Sequence, residues 1–388
     1  MTTIINNENK KLNVPNLRFP EFQGEWEKCR LADVCSFFSG GTPSSSNKDF
    51  YGGNIPFIRS GELHKEETEL FITQSGYENS SAKMVEVGDL LLAMYGATSG
   101  DVAISKIKGA INQAILCIRT KHNNKFIESV WNKHVSKILV KYLQGGQGNL
   151  SADIVKRISF SLPSLAEQKK ISHLMQLIDV RIATQNKIID KLQSLIKGIV
   201  DCTILRKEKN AIVGDVCSIS EQIRAEANID VIITVRLHGN GVCKSSAENL
   251  QLGATQYYRR RAGQLIYGKQ NFHNGAIGIV PISLDNGITS KDIPSFDIDE
   301  MKCNSVYLLA QLQSPQYYKP AEALTTGTGS KRLKEETFLK MPIVLPNKRE
   351  QDNIAVLIHR ASMNLDHAKR LLELLSIQKQ FLLRQMFI

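Results

Sequence analysis

The chain has 388 residues, enough for two or three domains that each bury a hydrophobic core. Its hydrophobic content of 42% and charged content of 22% are ordinary for a globular protein, and no apolar run is long enough to cross a membrane. The formal net charge of +11 favours an anionic partner, either nucleic acid or a membrane surface.

Residues 1–23 are predicted to form a polar N-terminal arm, because the stretch is rich in asparagine and Pro15 and Pro20 prevent a regular helix. Its first eleven residues contain no signal-peptide core. Seven scattered cysteines, with no Cys-x-x-Cys pair, favour reduced thiols in a cytoplasmic protein over disulfides or a zinc site.

Residues 24–163 are predicted to form a first mixed α/β domain. A loop of small polar residues, Ser39–Ser46, follows its opening segment. The pattern then predicts short strands and one amphipathic helix that ends at a glycine turn: strands at 55–58, 89–95, 114–118 and 158–162, the helix at 127–143 and the turn at 145–149.

A long helix is predicted over residues 164–206. Ser164 and Glu167 have the spacing of a capping box, in which each side chain bonds a free backbone N–H at the helix start. Apolar residues then recur every three or four positions, interrupted once by Gln185: Ile171, Leu174, Ile178, Ile182, Ile189, Leu192, Ile196 and Ile199. This spacing indicates a coiled-coil stripe on a helix of roughly 50 Å.

The rest of the chain repeats this plan, with a second domain at 207–346 and a second helix at 347–388. Pro163, Glu167 and Gln168 recur 183 positions later as Pro346, Glu350 and Gln351. The second stripe is broken only by Lys379 and contains Ile354, Leu357, Ala361, Leu365, Ala368, Leu372, Leu375 and Leu382. The edges of the two domains match, including a closing strand at 338–345, whereas their middles diverge.

An apolar stripe of this length must be buried against another element, and the simplest such partner is the other long helix. The sequence therefore predicts an α+β protein with two similar mixed α/β domains separated by two long, paired helices. Two unrelated long helices in separate cores are the alternative, which the repeat disfavours. Matching edges with divergent middles are typical of one scaffold that carries two specificities.

The sequence contains no convincing catalytic site. Gly263 and Gly268-Lys269 nearly match a phosphate-binding loop, but Gln270 stands where Ser or Thr would hold magnesium. The Asn/Asp-Pro-Pro-aromatic motif of amino-methyltransferases and a Gly-x-Gly-x-x-Gly cofactor loop are both missing, and the eight histidines lack metal-ligand spacing. We therefore predict a chain that is not an enzyme and holds no metal.

Basic and amide side chains cluster in predicted loops of the second domain. Their chemistry suits contacts to base edges and phosphates, and a solvated basic surface is the alternative. The candidates for DNA binding there are Arg259, Lys269, Asn271, Lys331 and Arg332. In the first domain they are Thr42, Ser44, Arg59, Tyr95 and Thr98.

The whole pattern resembles the specificity subunits of type I restriction-modification systems. The resemblance is carried by Arg18–Phe22 with Gly24–Trp26, by the loop Gly41-Thr42-Pro43-Ser44, and by the paired Leu-Pro and Glu-Gln segments that begin the two helices. The second domain departs from the pattern, since Ser220–Ile223 stands where the Gly-Thr-Pro-Ser loop would be.

The resemblance implies two target recognition domains, each reading half of a bipartite sequence in double-stranded DNA, held apart by an antiparallel helix pair. The helices would dock two methyltransferase subunits, which restriction (motor-nuclease) subunits then join. S-adenosylmethionine, ATP and magnesium would belong to those partners, and no cofactor to this chain. Spacer and docking roles then fall to Glu167, Gln168, Ile178, Ile189, Glu350, Gln351, Leu365 and Leu372.

Two other functions remain open on the sequence. A stand-alone DNA-modifying enzyme with a diverged active site is disfavoured by the missing motifs. A coiled-coil scaffold that binds anionic partners without specificity is disfavoured by the divergent middles of the domains, which a scaffold has no reason to vary.

Overall fold

The computed structural model describes residues 12–142, 150–245, 255–327 and 331–388, which form two compact units. The first unit contains the chain up to Thr184 together with Leu371–Ile388, and the second contains Gln185–Arg370. Each long helix is therefore shared between the units. The predicted glycine turn at 145–149, residues 328–330 of its counterpart and the first eleven residues of the predicted arm lie outside the described residues.

The described residues of the first unit form ten short strands and the helices α1 to α4, besides their share of the long helices. The strands are β1 (Glu27–Arg30), β2 (Cys35–Ser39), β3 (Tyr51–Ile58), β4 (Phe71–Ile72), β5 (Lys83–Val85), β6 (Leu90–Ala93), β7 (Val102–Ile104), β8 (Gly109–Ile111), β9 (Ile115–Thr120) and β10 (Ser159–Leu162). The helices are α1 (Leu31–Val34), α2 (Gln74–Glu78), α3 (Asn124–Tyr142) and α4 (Ala152–Arg157).

The long helix α5 (Leu165–Val200) leads into the second unit. The strands of that unit are β11 (Ala211–Ile212), β12 (Cys217–Ile219), β13 (Arg224–Ala225), β14 (Ile233–Val235), β15 (Val242–Lys244), β16 (Tyr257–Arg260), β17 (Leu265–Tyr267), β18 (Ile277–Ile279), β19 (Gly287–Ser290), β20 (Ser295–Ile298) and β21 (Pro342–Ile343). Its helices are α6 (Ser305–Leu312), α7 (Pro315–Tyr318) and α8 (Glu335–Leu339), and α9 (Lys348–Met386) ends the chain.

The predicted duplication is visible in the order of the strands. The first unit has a four-stranded sheet in the order β2-β9-β6-β7, and the second has one in the order β12-β20-β17-β18, with every neighbouring pair antiparallel. The opening and closing strands of each domain also pair in the same way, β1 with β10 and β11 with β21. The two domains therefore share one frame.

The remaining strands of the two domains differ. The first unit builds a second sheet in the order β4-β3-β8-β5, in which β3 and β8 are parallel. The second unit has instead a three-stranded sheet, β13-β16-β19, and a separate pair, β14 and β15. These strands lie in the middles of the domains, where the sequences diverge.

Gln168 and Gln351 attach the two long helices to their domains in the same way. Each side chain donates to the carbonyl of the proline five residues earlier, at 2.9 Å and 2.8 Å. Each also accepts a hydrogen bond from the backbone N–H of an asparagine that caps a domain helix, Asn123 before α3 and Asn304 before α6. Both glutamine side chains are fully buried, so the glutamine of the Glu-Gln repeat serves this internal contact.

The long helices pack against each other in antiparallel fashion within each unit. In the first unit Asp179 of α5 lies 2.7 Å from the ammonium of Lys379 on α9, and Ile171 packs near Leu383. In the second unit Gln185 contacts Ala368, and Val200 packs with Ile354. The predicted pairing of the two stripes is confirmed.

Nearly every predicted stripe position is buried or half-buried, with one exception in α9. Leu357 is 52% exposed, and Ile358 lies in the core instead, because positions 354, 358 and 361 are spaced four and three apart and so share one face of the helix. The closing strand predicted at 338–345 is also wrong in its first half. Phe338 belongs to helix α8, which begins at the acidic pair Glu335 and Glu336, and only β21 is extended.

Among the described residues no helix is long and apolar enough to cross a membrane. The same residues contain no group of three or more His, Cys, Asp or Glu side chains that could hold a metal ion. All seven cysteines lie in the described ranges and are free thiols.

Candidate nucleic-acid interface

The loop Gly40–Ser44 of the first unit lies flat against the end of β8. A side chain at Gly40 would place its Cβ 1.8 Å from the carbonyl oxygen of Ile111, and one at Gly41 would meet Ser81 at 2.6 Å. Only glycine permits this approach. The hydroxyl of Tyr51 donates to the Pro43 carbonyl at 2.7 Å and holds the far side of the loop.

This packing presents the hydroxyls of Thr42 and Ser44 to solvent. Ser44 Oγ lies 2.8 Å from Ser46 Oγ, and Thr42 Oγ1 donates to Oε1 of Gln113 at 2.6 Å. Gln113 was not among the predicted residues. It is exposed in the turn between β8 and β9, and its amide NH2 donates no hydrogen bond to a described residue. Sequence spacing carried no signal for this contact, since Thr42 and Gln113 are 71 positions apart.

A glutamine carboxamide is chemically suited to read adenine, because it can accept from N6 and donate to N7 at the same time. Gln113 shares one acceptor with Thr42 and keeps its two donors free. The pair therefore adds a candidate base-reading group to the predicted loop.

Arg59 is half-exposed, and its guanidinium is engaged within the domain. It lies 2.9 Å from Oε1 of the buried Glu62 and 3.8 Å from Glu69. The hydrogen bonds from Arg59 hold the pKa of Glu62 at about 2, well below its usual range. Arg59 therefore keeps part of its donor capacity for a ligand, but it would share that capacity with two carboxylates.

Tyr95 and Thr98 lie just beyond the end of the central strand β6. Tyr95 is 36% exposed, and Thr98 is half-buried in the turn that follows. The carbonyl of Met94, at the same strand end, accepts from the backbone N–H of Leu150 at 2.9 Å. The chain that leaves the predicted glycine turn is thereby bonded beside Tyr95.

The second unit repeats this contact at the end of β17. There the carbonyl of Lys269 accepts from the N–H of Leu333, also at 2.9 Å. Leu150 and Leu333 are 183 positions apart. Two predicted residues, Lys269 and Arg332, line a cavity of about 590 Å³ at this place, together with Thr326, Gly327, Lys334 and Glu335.

Three of the five predicted residues of the second unit are paired with carboxylates. Lys269 lies 2.7 Å from Glu335, Lys331 lies 3.1 Å from Glu322, and Arg332 lies 3.3 Å from Asp292. Lys331 and Arg332 are more than 45% exposed, so their pairs are weak in water, whereas Lys269 is largely buried. Asn271 is exposed and accepts from Asn274 at 3.2 Å.

The three arginines of β16 and its end point in alternating directions, as strand geometry requires. Arg259 and Arg261 are exposed, whereas Arg260 is fully buried. Arg260 donates to Thr289 Oγ1, Ser295 Oγ and the Ile293 carbonyl at 2.7–2.9 Å, and burial lowers its pKa to about 10. The exposed Arg259 is thus available to a ligand, and Arg260 organises the fold.

The residues predicted for helix spacing and docking are mostly internal. Glu167 is 1% exposed and accepts two hydrogen bonds of 2.8 Å from Arg18. Glu350 is half-exposed beside Lys207. Gln168 and Gln351 hold the helix starts, while Ile178, Ile189, Leu365 and Leu372 lie buried or half-buried in the stripes. Their predicted spacer and docking roles both stay predictions.

A second set of apolar side chains on the same helices was missed by the sequence reasoning. They lie outside the stripes and are 41–57% exposed: Leu177, Val180, Leu371, Leu374, Ile377 and Phe381 in the first unit, and Ile188, Leu195, Val356 and Met363 in the second. Large apolar residues repeated along an exposed helix face are typical of a protein interface.

Comparison with known proteins agrees with this geometry. A family model described as a type I restriction modification DNA specificity domain matches residues 23–194. The MjaVIII specificity subunit of Methanocaldococcus jannaschii is 21% identical over 374 residues, which cover 87% of this chain and 86% of that protein. The MjaIX specificity subunit of the same organism is 28% identical over 43% of this chain and 42% of its own.

A solved structure of the S subunit of a type I restriction-modification system from M. genitalium has the same fold. It superposes with a TM-score of 0.65 at 12% sequence identity and covers 97% of this chain and 99% of that one. The chain therefore has the fold of that S subunit. In sequence it is similar to type I restriction-modification specificity subunits over most of its length.

Proposed function

We propose that this chain directs a type I restriction-modification complex to one bipartite DNA sequence, with each domain reading one half. The observation that carries the proposal is the duplicated sheet, β2-β9-β6-β7 and β12-β20-β17-β18, combined with second sheets that differ. A shared frame presents the loops of both domains in equivalent places. The divergent strands give those loops different side chains, and so different base preferences.

The exposed donors and acceptors of these loops support direct readout of bases. Thr42 with Gln113 in the first domain, and Arg259 with Asn271 in the second, leave hydrogen-bonding groups free at the surface. Arginine and carboxamide side chains are those that pair bidentately with guanine and adenine.

A domain exchange tests this function. Residues 24–163 are replaced by the equivalent segment of another specificity subunit, and the methylome is sequenced in cells that keep the partner subunits. We expect one half of the methylated sequence to change and the other half to stay. A change in both halves, or in neither, would contradict independent reading by the two domains.

The helices would dock two methyltransferase subunits through the exposed apolar residues described above. Those subunits would place adenine methylation at the recognised sequence, and motor-nuclease subunits would add restriction. S-adenosylmethionine, ATP and magnesium would be bound by the partners. The exposure of these side chains outside the stripe supports this role, because the stripe itself is already covered.

Paired substitutions on α9 test the docking surface. Leu374→Asp with Ile377→Asp should reduce co-purification of the methyltransferase subunit at least tenfold. Gln378→Asp with Gln380→Asp, at neighbouring exposed positions, adds the same charge and should leave it unchanged. Equal recovery of the partner with both double variants would remove this surface from the proposal.

A further inference from the structure

A basic cavity of about 350 Å³ lies in the first unit, away from the loops discussed above. It is bordered by helix α3, by strand β1, by the end of α4 and by the start of β10. Most of its lining is cationic or apolar: Lys28, His134, Lys137, Lys141, Arg157, Ile138, Ile158, Ser159 and Phe160.

No described acidic side chain lines this cavity. Lys28, Lys137 and Arg157 are exposed, and none of them forms an ion pair with a described residue. Many other cations of this unit are paired: Lys106 lies 3.0 Å from Glu66, Lys108 lies 3.0 Å from Glu86, and Lys156 lies 3.4 Å from Asp153. Lys28, Lys137 and Arg157 therefore bring to the cavity positive charge that no described carboxylate neutralises.

Helical spacing brings the lysines of α3 together on one side of that helix. Lys133, Lys137 and Lys141 are spaced four apart and lie on one face of α3, where like charges repel. Lys133 and His134 donate to the carbonyls of Phe387 and Ile388, and the His134 ring stacks on Phe160 with centroids 5.7 Å apart. Burial lowers the pKa of Lys133 and of His134, and the charge of Lys137 lowers both further.

The helix dipole explains only part of this cluster. Cations are favoured in the last turn of a helix, which accounts for Lys141 on α3 and Arg157 on α4. Lys137 lies more than one turn inside α3, and Lys28 lies on strand β1. The convergence of these four side chains on one cavity needs a different cause.

We infer that this cavity binds a phosphate group of the DNA backbone and so adds affinity without sequence preference. The inference rests on the proposed function. Exposed cations on separate elements suit a polyanion that passes along the surface, whereas a free anion would be held better by enclosed donors. A phosphate contact also leaves the reading of bases to the loops of the domain.

The test compares two triple variants of the full chain. Lys28→Gln, Lys137→Gln and Arg157→Gln neutralise the cavity. Lys169→Gln, Arg181→Gln and Lys187→Gln remove the same charges from exposed positions of α5 that form no ion pair with a described residue. DNA binding is measured by fluorescence anisotropy over a range of salt concentrations, with duplexes that carry or lack the target found by methylome sequencing.

We expect the cavity variant to bind both duplexes about tenfold more weakly or worse, with the slope of log K against log salt reduced by about one or more. The matched control should keep the wild-type slope. An unchanged slope in the cavity variant would overturn the inference, as would a loss confined to the target duplex, which would indicate base contact.

Isothermal titration calorimetry with inorganic phosphate distinguishes a phosphate of the DNA backbone from a free phosphate ion as the ligand of the cavity. Saturable phosphate binding that the cavity variant loses, with its DNA slope unchanged, would assign the cavity to a free anion and overturn the DNA assignment. Failure of the proposed function has a different signature, since the wild-type chain would then show no preference for the target duplex at any salt concentration.

Discussion

Gln185 of α5 donates a hydrogen bond of 3.0 Å to the backbone carbonyl of Ala368 on α9, and these two residues are counterparts in the 183-residue repeat. In an antiparallel pair of equivalent helices, counterparts can face each other only at the centre of the pair. The small Ala368 side chain leaves room for the buried amide. A polar residue at one stripe position is a known device for setting register between helices.

Because this contact fixes the register of the two helices, we expect the helix pair to set the number of base pairs between the two half-sites. Inserting four residues after the exposed Thr184 adds about 6 Å and about one turn to α5. We expect a recognised gap longer by one or two base pairs, with both half-site sequences unchanged, as read by methylome sequencing. The substitution Thr184→Ala is the control. If a folded insertion variant kept the original gap, the length of the helices would not set the distance between the half-sites.

Glu167 and Glu350 are counterparts with different surroundings, and we expect their removal to have different costs. Glu167→Ala leaves Arg18 without its carboxylate in a largely buried place, which should lower the free energy of unfolding by about 3 kcal/mol. Glu350→Ala breaks a half-exposed pair with Lys207 and should cost less than about 1 kcal/mol.

The free energy of unfolding of both variants is measured by urea titration, with circular dichroism as the signal. Tryptophan fluorescence reports on the first unit alone, since Trp26 and Trp131 both lie there. The double variant Arg18→Met with Glu167→Leu should recover part of the loss, because no unpaired charge remains. Equal costs for the two single variants would contradict this explanation.

The Arg59–Glu62 pair predicts a pH dependence of stability. The pKa of Glu62 is about 2 in the folded chain, below its ordinary value of 4.5, so the charged form stabilises the fold. This contribution is present above pH 4.5 and is lost as the pH falls from 4.5 towards 2. Urea midpoints from tryptophan fluorescence should therefore fall more steeply with acid in the wild type than in Glu62→Gln.

Glu69→Gln is the matched control for this measurement, because Glu69 is 80% exposed and its nearest contact with Arg59 is 3.8 Å. It should keep the wild-type pH profile. Identical profiles for all three chains would show that the Arg59 pair does not hold Glu62 in its charged form.

We also predict that the purified chain neither methylates nor cleaves DNA. The sequence lacks both methyltransferase motifs, and the described residues offer no cluster able to hold a catalytic metal. Radiolabelled S-adenosylmethionine should transfer no label to DNA until methyltransferase subunit is added. Transfer by the chain alone, free of that subunit, would favour a diverged active site instead.

The repeat alone was enough to determine the duplicated scaffold and the two helices. Stripe positions such as Ile171 and Ile354 follow from local periodicity, because a long helix must cover its apolar face. The capping segments at Ser164 and Asn347 are equally local, and both helices begin within one residue of the expected position. Each of these features depends on residues close together in the chain.

Only the tertiary structure decided which polar side chains are free. Arg259 and Arg260 are neighbours in sequence, yet one faces solvent and the other is buried among hydroxyls and a carbonyl. Thr42 meets Gln113, and Lys269 meets Glu335, across 71 and 66 positions. Local pattern does not encode such contacts, because hydrogen bonds and ion pairs depend on distances that the packing of distant strands creates.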